Sequence, residues 1–126
     1  MRVFNGDEDG FDAKVNFVDE NNVFLGYDIY EMCCEYAGWF IDDVPHSSGE
    51  IPSPLPQPKD FPGWVFDTAY FSCVHGDRLD DGGMAIFRIV KGEEEKFVHL
   101  FNCHNGYYGH GFDFKIGEET IRQGGL

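Results

Sequence analysis

All six prolines of this chain, from Pro45 to Pro62, fall within residues 42–63. Proline fixes φ and removes a backbone donor, so it is kept out of helix interiors and central strands. The chain is therefore divided into a loop with polyproline-like stretches and two proline-free flanks. From Pro52 to Pro58 the prolines recur at every second position. That spacing lacks the PxxP pattern of a common proline-rich ligand. Long loops are often functional, so 42–63 is read as a structural loop or a lid beside a site.

The flanks carry short apolar runs separated by turn residues. Residues 14–19 and 23–29 suggest a hairpin through Glu20, Asn21 and Asn22. Residues 32–41 fit one helical turn leading into a strand, and periodicity does not settle it. Strands are expected at 64–66, 69–75, 85–90, 97–102 and 107–116, with a short one near Thr120. Residues 85–90 and 97–102 suggest a second hairpin. With 126 residues the chain suits one domain. The expected class is mostly β: an antiparallel β-sandwich or small barrel with one long Pro-rich loop and little helix.

The stretch 97–114 is the densest in chemistry. Asn105-Gly106 favours a two-residue type I′ turn, which pairs His99 with Phe112 and Phe101 with His110. Phe97, His99, Phe101, Cys103, Tyr108, His110, Phe112 and Phe114 then share one face. His110 lies diagonal to His99 and Cys103, about 7–8 Å away between Cα atoms. Such a set can converge on zinc, with Cys73 or His75 from another strand completing it. The competing reading is a packed aromatic core, which the absence of a C-x-x-C spacing favours. The other face carries Asn102, His104, Tyr107, Gly109 and Gly111. Its small residues leave room for a small polar ligand, or mark a bend in the sheet.

The net charge is −14. Nucleic-acid sites need clustered Lys and Arg, so direct binding to a phosphate backbone is disfavoured, as is an anionic membrane surface. Residues 1–60 hold 13 Asp and Glu against 3 Lys and Arg, and the rest hold 10 against 6. An acidic recognition face would thus lie mainly in the first half, with Asp42 and Asp43 as candidates. No apolar run reaches membrane-span length, and the start lacks the pattern of a signal peptide, so a cytoplasmic location is expected. The four cysteines are then expected as thiols, with Cys73 and Cys103 the more plausible spatial neighbours. Cys33 or Cys34 with a distant histidine would make a nucleophile, a weak signal in any chain with both residue types. Residues 5–12 partly match a calcium loop through Asn5, Asp7, Asp9 and Gly10, but Asn16 stands where a bidentate Glu is needed.

Two blocks, 15–28 with Cys33-Cys34-Glu35-Tyr36-Ala37-Gly38-Trp39, and 101–112 with Asn102-Cys103-His104-Asn105-Gly106-Tyr107, resemble a family of short uncharacterised bacterial or phage-type proteins. The resemblance implies no activity, cofactor or site residue. The favoured reading is a small acidic binding or interaction domain without catalysis, with a protein or small polar ligand as partner. One alternative is a metal-binding protein or hydrolase using His99, Cys103 and His110. Another is an acidic nucleic-acid mimic that inhibits a basic partner. No cofactor is favoured, and zinc is the candidate.

Overall fold

The structure is a computed structural model and describes residues 1–5, 13–31, 36–55, 60–75, 83–103 and 109–126. Among these residues there are ten strands and no helix. In chain order they are β1 (Arg2–Asn5), β2 (Lys14–Val18), β3 (Val23–Asp28), β4 (Tyr36–Asp42), β5 (Val65–Phe66), β6 (Ser72–His75), β7 (Gly83–Lys91), β8 (Glu94–Cys103), β9 (Gly111–Ile116) and β10 (Glu119–Gly125). They form two antiparallel sheets packed as a sandwich, with no closed barrel. Sheet one has the order β1-β2-β3-β9-β10. Sheet two has the order β4-β8-β7-β5, and β6 also pairs with β7. No helix among the described residues is long and apolar enough to cross a membrane.

Two tight turns set much of the register. Lys91 pairs with Glu94, and Ile116 with Glu119, leaving two-residue loops at 92–93 and 117–118. Each begins with a glycine at positive φ, Gly92 at 61° and Gly117 at 58°. A two-residue hairpin needs positive φ at its first central position, which glycine adopts without strain. The β2–β3 hairpin forms in the expected place, with Lys14 opposite Asp28 and Val18 opposite Phe24. The expected β7–β8 hairpin also forms.

The hairpin expected around Asn105-Gly106 does not pair its flanks. The turn itself lies outside the described residues. β8 is bonded to β4 and β7, while β9 is bonded to β3 and β10 in the other sheet. The physical reason is burial. Val98 and Leu100 of β8 face Phe112 and Phe114 of β9 within one core between the sheets. Pairing the two strands edge to edge would forfeit that face-to-face contact.

Alternation along the strands separates two cores. The inner core lies between the sheets and includes Phe17, Leu25, Tyr27, Trp39, Phe87 and Phe114. A second cluster, Phe40, Met84, Ile86, Phe97 and Phe101, lies on the outer face of sheet two. Sheet two is thus apolar on both faces. Ile51 and Leu55 of the Pro-rich segment pack on the outer cluster, with Tyr70 and Val74. The segment therefore acts as a strap that covers a second hydrophobic face. Phe101 and Phe112 are both buried, as expected for core residues, but in different cores.

Candidate functional site

The expected His99 cluster divides among three places. His99, fully buried, lies on the outer face of sheet two, stacked on Phe40 with ring centroids 4.1 Å apart and planes 8° apart. Cys103 packs beside the same outer cluster. His110 sits instead beside Tyr27 of the inner core, ring centroids 6.2 Å apart, with Nδ1 2.6 Å from the Asp28 carbonyl oxygen. Cys73 pairs with Ala85, which pairs with Leu100, so it shares the inner-facing register. Cys103, three residues beyond Leu100, has the opposite register, and the expected closeness of Cys73 and Cys103 does not hold. His75 lies on β6 opposite Gly83. Among the described residues no group of three or more His, Cys, Asp or Glu is placed to hold a metal ion.

The candidate ligand face also divides. Asn102 is buried, and its Nδ2 donates to the Leu126 carbonyl oxygen at 2.9 Å. The His110 amide donates to that same oxygen at 2.8 Å. The Tyr27 hydroxyl donates across the sandwich to the Phe101 carbonyl at 2.7 Å, and burial pushes its pKa well up. These groups form a polar end of the inner core whose hydrogen bonds join strands of both sheets. Gly109 and Gly111 are exposed next to it. His104, Tyr107, Cys33, Cys34 and most of the 5–12 loop lie outside the described residues.

His99 has partners that its place in the sequence does not suggest. Its Nε2 accepts the His46 backbone amide at 3.0 Å, so the ring proton resides on Nδ1. The His46 ring stands perpendicular to those of His99 and Phe40, 5.0 Å from each. His46 Nε2 lies 2.7 Å from Asp42 Oδ2. Burial, then the neighbouring His46, lowers the His99 pKa to about 4. The carbonyls of Phe40 and Phe97 oppose that fall in part, without reaching hydrogen-bond geometry at Nδ1. The hydrogen bond from His46 holds the Asp42 carboxyl below its ordinary value. Asp43 pairs with Lys96. Both acids expected to face a partner are therefore engaged within the chain. The i,i+4 spacing of Asp42 and His46 was the available signal.

A second place is open to solvent. A groove of about 670 Å³ runs beside β1, lined by residues that include Arg2, Phe4, Glu20, Asp60 and Pro62. Phe4 is 49% exposed, an unusual state for a phenylalanine on a strand. Glu20 and Asp60 are exposed at the rim. Beneath them the Met1 ammonium donates to the carbonyls of Phe61 and Trp64. Desolvation lowers its pKa, and the nearby Glu20, Asp19 and Asp60 carboxylates oppose that fall. β1 pairs with β2 on one side, and a single bridge from Arg2 to Asp60 lies outside the named strands. Asp60 and Pro62 belong to the segment 42–63, but neither its proline pattern nor the 97–114 stretch indicated the residues near the start of the chain that they meet.

Comparison with protein-family models, curated proteins and solved structures finds no match to this chain.

Proposed function

We propose that this protein is a non-catalytic acidic binding domain that takes a basic, extended peptide segment in the groove beside β1. The observation that carries the reading is the half-exposed Phe4, on an edge strand, in a groove that Glu20 and Asp60 also line, with Arg2. An aromatic side chain offers an apolar anchor, and carboxylates in the same groove select Lys or Arg on the ligand. The Arg2–Asp60 bridge and the Phe61 amide bonded to Met1 occupy the start of that edge, so an incoming strand would pair with its Phe4 end. The groove volume is within the range of ligand sites. The net charge of −14 would speed encounter with a cationic segment.

The test uses a fluorescent peptide of alternating Lys and Leu, and its Glu-for-Lys counterpart, read by anisotropy. The basic peptide should bind and weaken as salt rises, because exposed charges are screened over about 8–10 Å. Phe4→Ala and the Glu20→Gln/Asp60→Asn pair should each weaken it about tenfold or more, near 1.4 kcal/mol. Glu118→Gln/Glu119→Gln, at the β9–β10 turn on the opposite edge of sheet one from β1, should leave it unchanged. If all acid-to-amide changes act alike and Phe4→Ala does nothing, the groove reading fails. A diffuse acidic surface of the nucleic-acid-mimic kind would then be favoured.

A further inference from the structure

The outer face of sheet two raises a separate question: what holds the strap down? Ile51 and Leu55 supply apolar contact, and Lys96 pairs with Asp43 at the strap's start. Three residues further on the strap is tied through His46, by the backbone amide to His99 Nε2 and by the ring to Asp42. The acceptor in the first of these bonds is a titratable nitrogen buried in an aromatic cage.

We propose that His99 is a proton-sensitive latch: neutral, it accepts the His46 amide and holds the strap 43–55 on sheet two, and protonated, it loses that acceptor and releases the strap. Protonation places an N–H where an N–H already points, so the bond becomes a repulsion. It also puts a charge against the Phe40 ring of the outer cluster, where burial disfavours it. The groups facing His99 are few. From the strap comes His46, and from β4 come Asp42 and the Phe40 ring. From β7 comes Ile86, directly opposite. Further along that face Arg88 is neutralised by Asp67 and Glu95, and Tyr70 packs on Phe97. Besides the Phe40 and Phe97 carbonyls, the Asp42 carboxylate would favour a charged His99, and it is already engaged by His46.

The direction with pH follows. Above about 6.5 the ring is neutral with the strap closed or released, and the latch holds. As pH falls from 6.5 toward 4, a released strap lets His99 take up a proton that the closed state refuses. Opening becomes easier throughout that interval. Between pH 7.5 and 5 the opening equilibrium should rise by up to about 30-fold, from a value near 6.5 in the open state and about 4 in the closed one.

Backbone hydrogen exchange on the whole protein tests this. After correction for intrinsic rates, amides of 46–55 should exchange faster than those of β3 and β8 at every pH. Their protection should fall about 10- to 30-fold from pH 7.5 to 5. His99→Phe keeps the stacking surface and cannot titrate, so its strap should be less protected but independent of pH over this range. Protection of 46–55 that changes less than about threefold in the wild type would overturn the latch. So would the same pH dependence in His99→Phe, or a strap that opens only together with β8. If His99→Phe fails to fold, a wild-type imidazole titration decides: a value near 6.5 for His99 refutes the latch, and one near 4 supports it.

Discussion

Phe87→Ala should lower the free energy of unfolding by about 3–5 kcal/mol, seen as a shifted denaturant midpoint with unchanged slope. Phe87 is fully buried at the centre of β7 and reaches across the sandwich. Its ring lies 4.9 Å from that of Phe114, 5.7 Å from Phe112 and 5.5 Å from Phe71. Truncation removes transfer energy and leaves a cavity among side chains from both sheets, which cannot all collapse into it. The loss is a large part of the roughly 5–15 kcal/mol that holds a typical domain together. The same change at the half-exposed Phe4 should cost about 0.5 kcal/mol or less, because little is buried there. A loss under about 1 kcal/mol at Phe87 would mean that the sheets do not share a packed core.

Asp19→Ala should be nearly as damaging, at about 3–5 kcal/mol in the same melts. This carboxylate is buried at the end of β2. Its Oδ1 accepts the amides of Asn21 and Val23, each at 2.9 Å. Its Oδ2 accepts the Phe66 amide at 2.8 Å. One side chain therefore closes the β2–β3 turn, where Asn22 takes a positive φ of 61°, and ties that turn to β5 of the other sheet. Removing it leaves the buried amides of Val23 and Phe66 without acceptors, at about 1–3 kcal/mol each. Asp19→Asn should recover only part of the loss. An amide offers one acceptor oxygen, and its NH₂ must face either the turn amides or Phe66. If Asn restored full stability, the two-sided hydrogen bonding would not be what holds this corner.

The two predictions rest on different kinds of information. The alternation of Val15 and Phe17, and of Val23, Leu25 and Tyr27, was legible because a strand buried on one face repeats every two residues. The same rule correctly put Phe97, His99 and Phe101 on one face of β8, and the clustered prolines marked the long connection from β4 to β5. Alternation could not say which face of β8 points inward. Val98 and Leu100 are as apolar as Phe97 and Phe101, and all four are buried. Nor could it choose the neighbour of β8. A favourable Asn-Gly turn contributes only a local preference. Placing Phe112 and Phe114 against Phe87 buries whole aromatic rings, and that greater stabilisation governs the pairing. The candidate zinc cluster depended on that pairing, so it separated with the strands. The His46 bond to His99 spans 53 residues, and the groove beside β1 joins residues near the start of the chain to Asp60 and Pro62. Composition and periodicity determine local conformation and which residues are available. Only the packing of a sheet apolar on both faces, with the strap it needs to cover it, decides which of them meet.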